Sequence, residues 1–456
     1  MSRTGLRDVA TTPEVAAVAL VLPLIFLHRK YQPEWTLGVG STGASVRLSD
    51  LAVLAAAAAG LVAAVRYGID RLRPGRLAFL VGAALLAWIL AATFYPLAWE
   101  HHYRFATHLV TALKFVEYAL LALVVPLVVR SRKDLRILLG SLTAWSVAMS
   151  TVAVLQFFGI VNELEGRRPG QREPAYVGIH DLAALSGAVL SIGLVALALG
   201  TDDRRERVGA WVAGISGAVG LVLSGAVAGA LGAGVAAVAV VVVAFRRGAL
   251  DRRRFLALAG IMAVIGAGVV ALRSADLQNG LKLFGVEPAK QTQSAAAETY
   301  AQRSVLAYIG WRTFAGHPLL GVGWQGTSEA ENYEPYLADA KRRFPDVPPV
   351  ALPSPQHAWG VQNAWLQAAA ELGVPGFLLF AGLFVVSLAI AARVALRAAR
   401  EIAPLGLLAA CWLFVVMGVW IGLGIVAGIP QDALQWLAVG LAAAAAALAA
   451  DGRQGI

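Results

Sequence analysis

Cysteine is almost absent from this chain, and its single copy, Cys411, lies inside an apolar stretch. One thiol excludes a disulfide framework and a cysteine-based metal site, so any loop outside the apolar stretches must be held by packing alone. Charged residues are also scarce: they make up 14% of the 456 residues, against 58% for hydrophobic residues. One soluble core cannot bury that much apolar surface, so the composition indicates a polytopic membrane protein.

Segments of about ten residues with alternating polarity, which a transmembrane barrel requires, are missing as well. Runs such as Val235 to Phe245 are apolar on every side and favour helices. About twelve stretches have the roughly 17 to 25 apolar residues that a helix needs to cross a bilayer. They lie near residues 13–27, 49–65, 77–97, 109–129, 137–160, 182–199, 208–223, 226–245, 255–271, 375–394, 405–427 and 433–450. The predicted fold is all-α, with nine spans in residues 1–272, an extracytoplasmic loop with amphipathic helices in residues 273–374, and three spans in residues 375–456.

Acidic residues are outnumbered by basic ones, 28 to 38, which gives a net charge of +10. This excess does not mark a nucleic-acid partner, because the arginines fall in alternate short loops. These loops contain Arg66 to Arg76, Arg130 to Arg136, Arg204 to Arg207, Arg246 to Arg254 and Arg393 to Arg400. Such a distribution follows the positive-inside rule. It predicts that both termini are cytoplasmic and that the long loop lies outside.

A helix is predicted in the middle of the long loop. Residues from Thr299 to Ala315 place apolar and aromatic side chains at helical spacing, and a Gly-His-Pro sequence follows them. We expect this helix to be amphipathic and to lie at the membrane surface, with Arg303 and Arg312 available on it.

Two further segments of the loop gather groups suited to chemistry. Leu319 to Gly326 contains three glycines and predicts a tight turn whose backbone N–H groups can approach an anion. Downstream, His357, Gln362, Asn363 and Glu371 come directly before the tenth span. Polar side chains therefore collect where the loop returns to the membrane.

Two charged residues lie inside the fourth predicted span. Lys114 and Glu117 are three positions apart and share a helix face, and charges at that depth are unfavourable unless they are paired or face water. We interpret them first as a structural ion pair near the outer surface. In the alternative, Lys114 contributes to a site for an anionic ligand such as a lipid-borne phosphate.

Two loop segments carry a family resemblance. GHPLLGVGWQG (Gly316 to Gly326) and QNAWLQAAAELGVPGF (Gln362 to Phe377), joined by a long outer loop, resemble the O-antigen ligase and O-antigen polymerase superfamily. LKFVEYALLALVVPLVVRSRKDLR (Leu113 to Arg136) and the last pair of spans also fit its layout. The resemblance covers most of the chain.

This resemblance implies glycan transfer at the outer face of a bacterial inner (plasma) membrane. The implied donor is a glycan linked to undecaprenyl diphosphate, and the implied acceptor is a hydroxyl on a glycan, glycolipid or protein. Membrane lipid surrounds the reaction, and no nucleotide sugar, metal or other cofactor is implied. Arg303 matches the family's arginine at the start of the helix before the glycine-rich turn. It would stabilise the charge that develops on the departing diphosphate.

The chain departs from the family's pattern at two places. Gln362 and Asn363 stand where members usually have His-Asn, and glutamine cannot accept a proton at physiological pH. Near the start of the eighth span the chain reads SGAVAG (Ser224 to Gly229) where members usually have Ser-Arg-Gly. A second anion-binding arginine is therefore missing.

Three replacements for the missing base remain open. His357, five residues before Gln362, would serve if the intervening turn folds it back. His180, at the outer start of the sixth span, would serve with a nearby basic group replacing the lost cation. That group consists of Arg167, Arg168 and Arg172. Glu371 or another carboxylate is the third, although we interpret Glu371 as structural.

The candidate catalytic residues are therefore His357, Arg303 and His180. The candidate substrate-binding residues are Arg312, Gln362, Asn363, Arg167, Arg168, Arg172, Lys114 and Trp324, and no metal ligand is assigned. Arg303 would hold the diphosphate, and one of the two histidines would deprotonate the acceptor. Tryptophans of the loop, Trp324 among them, could stack on sugar rings.

Two other functions remain open. Some relatives of the superfamily have been described as bicarbonate transporters, and a transporter or non-catalytic role would accommodate the two missing positions. Against it, the spans hold few ionisable residues beyond Lys114 and Glu117. A transferase of the peptidoglycan-polymerising type would rely on an outer-loop aspartate, for which Asp339, Asp346 and Asp432 are available.

Overall fold

The computed structural model describes residues 12–39, 42–100, 103–161, 169–200, 203–272, 274, 295–345, 347–355 and 357–454. Over these residues the chain is almost entirely helical, which confirms the all-α prediction. The α-helices are α1 (Pro13–Ile25), α2 (Leu48–Tyr67), α3 (Arg76–Phe94), α4 (Phe105–Val128), α5 (Arg132–Phe157), α6 (Ile179–Leu199), α7 (Arg204–Ser224), α8 (Val227–Arg246), α9 (Arg252–Leu272), α10 (Ala295–Gly316), α11 (Ala330–Arg343), α12 (Ala364–Arg397), α13 (Ala403–Val419) and α14 (Pro430–Gln454). Between α1 and α2, strands β1 (Glu34–Val39) and β2 (Thr42–Arg47) pair as an antiparallel hairpin.

The helices reproduce the predicted series of spans. Among the described helices, ten are long and apolar enough to cross a membrane, with α3 counted together with the turns on either side of it. The two others in the series, α1 and α13, are apolar but shorter. Helices α10 and α11 belong to the loop between the ninth and tenth spans. The chain is therefore a multi-pass membrane protein with a helical loop domain.

Two predicted span boundaries are wrong, and glycines explain both. Helix α12 begins at Ala364, eleven residues before the predicted start, but Gly373 interrupts it with φ 65° and ψ −171°. Helix α13 ends at Val419 instead of near residue 427, and residues 420–429 form an irregular return. A Cβ on Gly424 in this return would lie 2.4 Å from the Val361 carbonyl oxygen, so the close approach needs glycine.

Helices α6 and α14 form the centre of the bundle and are buried on nearly all sides. Helix α6 packs against α7, α8 and α13, whereas α14 packs against α4, α12 and α13. Small residues permit these contacts in lipid, where helix association depends on close packing. A Cβ on Gly217 of α7, for example, would lie 2.4 Å from the Leu190 amide nitrogen of α6. Helix α9 lies at the periphery with most of its surface exposed.

The loop helix predicted at Thr299 to Ala315 is present as α10, and aliphatic side chains, not all of its aromatic ones, form its buried face. Val305, Leu306 and Ile309 are buried, whereas Trp311 is 57% exposed. The reason is that α10 packs between α11 and α12, so aliphatic side chains fill that junction.

The loop domain is tied to the spans by an ionic contact. Glu329, just before α11, accepts hydrogen bonds from Arg104 Nε at 2.8 Å and contacts His108 Nε2 at 2.5 Å. Burial alone would raise the pKa of Glu329, but the hydrogen bonds from His108 and Arg104 outweigh it and hold the pKa below its ordinary value. The carboxylate is therefore ionised when the loop is docked.

Candidate functional site

Arg303, His180 and Gln362 form the candidate site, which we call the arginine cluster. They come from α10, from the first turn of α6 and from the segment just before α12. Arg303 Nη2 lies 2.9 Å from His180 Nε2, and Arg303 Nε donates to Gln362 Oε1 at 3.4 Å. All three residues are half-buried. Arg303 thus contacts two residues that were singled out from distant parts of the sequence.

Helical periodicity explains how Arg303 reaches Gln362. Gly310 follows Arg303 by seven residues, about two turns, so the two share a face of α10. A Cβ on Gly310 would lie 2.6 Å from Val361 Cγ2, which shows how closely this face approaches the segment before α12. Because Val361 packs against Gly310, the residue after Val361, Gln362, lies within reach of Arg303.

The contact between Arg303 and His180 fixes the state of the histidine. A guanidinium has only N–H donors, so His180 Nε2 must be the acceptor. The imidazole is therefore neutral, with its proton on Nδ1. A neutral imidazole with an Nε2 lone pair is the form that a general base requires, although Arg303 occupies that lone pair here.

Residues 420–429, which overlap the end of the span predicted near residues 405–427, border the arginine cluster. A Cβ on Gly422 would lie 3.5 Å from Arg303 Nη1. Asn363 Nδ2 donates to the Ile421 carbonyl at 3.0 Å, and the Ala364 amide donates to the carbonyls of Trp420 and Leu423. The glycines at 422, 424 and 428 and the proline at 430 were the available signal for this irregular return.

The first turn of α6 is anchored to α14. The Gln431 amide donates to Asp181 Oδ1 at 2.8 Å, and both residues are buried. Gly178, with φ 99°, starts α6 next to the His28 ring. This anchor holds the helix end that carries His180 in position.

Arg172 lies beside the segment that departs from the family's pattern. Its Nε donates to the Ser224 carbonyl oxygen at 3.2 Å, and Ser224 begins the SGAVAG segment that departs from the pattern. The next amide, Glu173 N, donates to the Leu223 carbonyl at 3.0 Å. Arg172 therefore brings positive charge to the end of α7. The other members of the basic group, Arg167 and Arg168, lie outside the described residues.

The glycine-rich turn is present, but its amides are taken by the protein. The Val322 and Gly323 amides donate to the carbonyls of Ala370 and Glu371, and the Trp324 amide donates to the Ala92 carbonyl. This corrects the expectation that the turn presents N–H groups to an anion. Its glycines allow docking instead: a Cβ on Gly321 would lie 2.4 Å from the Glu371 carbonyl.

Two other predicted residues support the turn and the helix that follows. Trp324 is fully buried and its indole N–H donates to Thr111 Oγ1 at 2.9 Å, so no ring face is open to a sugar. Glu371 is buried as well, and its carboxylate accepts from the Gln325 amide at 2.9 Å and from Thr327 Oγ1 at 2.6 Å. Both contacts agree with a structural role.

The remaining loop candidates lie outside the arginine cluster. His357 is exposed and stacks on Trp359, with ring centroids 5.8 Å apart. Asn363 caps α12 by accepting from the Leu366 amide at 2.9 Å. Arg312 is engaged by Asp339 of α11 at 3.2 Å.

Lys114 has a different partner from the predicted one. Its Nζ lies 2.6 Å from Asp50 Oδ2 of α2, and this ion pair is almost fully buried. The predicted pairing with Glu117 is not the one observed, because Asp50 approaches from the facing helix. Lys114 also contacts Gly428 of the 420–429 return, where a Cβ would lie 3.3 Å from Lys114 Cδ.

The three aspartates of the peptidoglycan-type alternative differ in their surroundings. Asp339 is bound by Tyr308 and by Arg342 at 3.1 Å, and the hydrogen bond from Tyr308 holds the pKa of Asp339 below its ordinary value. A carboxylate stabilised in this way is a weak base. Asp432 is buried in the first turn of α14, and Asp346 lies outside the described residues. Within the described part of the chain, no group of three or more His, Cys, Asp and Glu side chains is arranged to hold a metal ion.

The comparisons with known proteins agree with the loop motifs. Residues 212–381, which run from α7 into α12, match the O-antigen ligase family. No curated protein matches the chain. The matched range contains Arg303, Gln362 and both loop motifs, and it supports a ligase or polymerase role in the membrane. Residues 212–381 are thus similar to the O-antigen ligase family, which confirms the resemblance carried by the loop motifs.

Proposed function

We propose that this protein transfers a glycan from an undecaprenyl diphosphate-linked donor to an acceptor hydroxyl at the outer face of the bacterial inner membrane. The acceptor would be carried by a glycan, a glycolipid or a protein. The observation that carries the proposal is the contact between Arg303 and His180, which brings together a cation and a base of the kinds that this reaction needs.

Arg303 is assigned to the diphosphate. A guanidinium matches phosphate oxygens with several N–H donors at once and is charged at any physiological pH. Because Arg303 is half-buried, its interaction with a developing negative charge is screened less than at an open surface. Arg172 would supply a second cation from the end of α7, where it reaches the Ser224 carbonyl.

His180 is assigned as the general base in place of His357. In the reaction, the acceptor oxygen forms a bond to the anomeric carbon while the bond from that carbon to the diphosphate oxygen breaks. The hydroxyl proton passes to His180 Nε2, and the diphosphate leaves with the electron pair, stabilised by Arg303. When the donor draws the guanidinium onto its phosphates, the Nε2 lone pair that Arg303 occupies is released.

Gln362 is assigned to orientation. Its side-chain oxygen accepts from Arg303 Nε, which keeps the guanidinium plane directed between α6 and α12. A glutamine at this place cannot take up the proton, so the position of the base moves to His180 in this chain.

The test is consumption of a lipid-linked oligosaccharide by the purified full-length protein in lipid nanodiscs. Arg303→Ala and His180→Ala should abolish most of the turnover, and Arg172→Ala should reduce it by about tenfold. Turnover that survives both of the first two substitutions would disprove the site assignment. Elution as a single species checks that each variant is folded.

One observation favours a second candidate, a transporter. The ionisable groups of the spans are not limited to Lys114 and Glu117, since Asp50, Asp181 and Asp432 are buried there as well. Charged residues inside spans often line a pathway for ions. Flux of labelled bicarbonate into proteoliposomes, lost in Asp50→Asn but retained in Arg303→Ala, would support transport. Absence of flux together with donor turnover would exclude it.

A further inference from the structure

We propose that the other end of the bundle binds the phosphodiester headgroup of an anionic phospholipid. A cavity of about 440 Å³ opens there between the end of α6, the turn between α8 and α9, and the turn between α12 and α13. Leu199, which lines this cavity, is the last residue of α6, whereas His180 is the second. About 28 Å of helix therefore separates the cavity from the arginine cluster, and the proposal does not depend on glycan transfer.

Two arginines supply the positive charge of the cavity. Arg247 is fixed because its Nε and Nη2 donate to the carbonyls of Ala395 and Ala398, at 2.6 and 2.7 Å. Arg400 lines the same cavity and is exposed, and its guanidinium forms no ion pair with another of the described residues. One arginine is thus held rigidly while the other has its full set of donors available for a ligand.

The nearest acidic residues along the chain do not neutralise this charge. Glu401 pairs with Arg132 at 3.1 Å, and Asp251 pairs with Arg254 at 3.5 Å. Arg254 also donates to the Ala249 carbonyl at the cavity wall, at 2.7 Å. The cavity therefore keeps a net positive charge. This charge favours a headgroup with a net negative charge over a zwitterionic headgroup, whose phosphate is balanced by its own ammonium group.

The apolar part of the lining points to a lipid. Leu199, Leu396 and Ala403 share the cavity with the two arginines. Leu396 is 46% exposed, and Phe245, in the last turn of α8, is 74% exposed. The acyl chains of a lipid whose phosphate lies in the cavity would pack against these exposed apolar side chains. The arginine-rich loops predict that this end faces the cytoplasmic leaflet, where anionic lipids attract basic groups.

The experiment measures lipid selectivity. Full-length protein is reconstituted with equal amounts of phosphatidylglycerol and phosphatidylcholine, extracted in mild detergent, and analysed for retained lipid by native mass spectrometry. We expect about fivefold preference for phosphatidylglycerol, the effect of roughly one basic residue at a membrane surface. Arg400→Ala should remove most of the preference, and Arg400→Lys should restore much of it. Arg397→Ala, three residues earlier at the end of α12 and outside the cavity lining, is the matched control and should keep the preference.

Three results would overturn the proposal. Equal retention of the two lipids would exclude an anionic site. Equal losses in Arg400→Ala and Arg397→Ala would mean that general surface charge, and not this cavity, retains the lipid. Release of phosphatidylglycerol by millimolar inorganic phosphate would identify a site for free phosphate without a lipid requirement.

Discussion

Arg303 and Arg312 lie on the same helix, and their surroundings are opposite. Arg303 contacts His180 and Gln362 at the junction with the spans, whereas Arg312 is bound by Asp339 and Tyr308 of the loop domain itself. Nine residues separate them, and at about 100° per residue they lie on opposite faces of α10. The comparison teaches that residue type and helix membership do not distinguish a site residue from a structural one. The face of the helix on which each arginine lies distinguishes them.

The substitution with the largest expected effect tests this comparison between Arg303 and Arg312 directly. Arg303→Ala should lower donor turnover by about 10²- to 10³-fold, because a preorganised donor at a developing negative charge is lost. Arg312→Ala should change turnover by less than about threefold, since it removes an exposed ion pair. Initial rates with lipid-linked donor measure both. Comparable losses in the two variants would show that α10 acts only as a structural unit.

The two candidate histidines form the next comparison. His180→Ala should lower turnover by about 10²-fold, the usual contribution of a general base, whereas His357→Ala should stay within about twofold. Added imidazole should restore part of the rate in His180→Ala and none in Arg303→Ala. A loss confined to His357→Ala would reverse the assignment and imply that the exposed histidine moves on substrate binding.

A smaller effect tests the face of α10 that carries Arg303. In Gly310→Ala the new Cβ would lie 2.6 Å from Val361 Cγ2, which is too close. Val361 must move away, and this movement should displace the next residue, Gln362, from Arg303. We expect turnover to fall about tenfold. Alanine favours a helix over glycine by about 1 kcal/mol, so thermal stability should change little. Gly234→Ala, where a Cβ meets nothing within 4 Å, is the control in a span. A melting temperature that falls in proportion to turnover would attribute the loss to unfolding.

The smallest expected effect concerns Glu329, which precedes α11 and ties the loop domain to the spans through Arg104 and His108. Glu329 has a lowered pKa in the folded protein, so it binds fewer protons folded than unfolded. Its contribution to stability is complete above its ordinary pKa of about 4.3 and is lost as pH falls through the folded value. Thermal unfolding between pH 6 and pH 3.5 should show this loss, and Glu329→Gln should show less of it. An identical pH dependence in both proteins would assign the effect to other carboxyls.

Much of the fold followed from local composition. The apolar runs predicted the spans, because a helix that crosses lipid must satisfy its own backbone and expose apolar side chains. The errors occurred at Gly373 and after Val419, where the conformation depends on what approaches the glycine. For the same reason the partner of Lys114 was misassigned: Asp50 is on another helix, and no spacing along α4 could indicate it.

The sequence by itself determined that this chain spans a membrane repeatedly, that its loop contains an arginine in the motif context of the O-antigen ligase family, and that Gln362 cannot be a base. Only the tertiary structure decided which residues surround that arginine. His180 precedes Arg303 by 123 positions and reaches it because α6, α10 and the segment before α12 converge at one end of the bundle. Periodicity reports which side chains share a face of one helix, but contacts between helices arise from packing, which a single sequence does not encode locally.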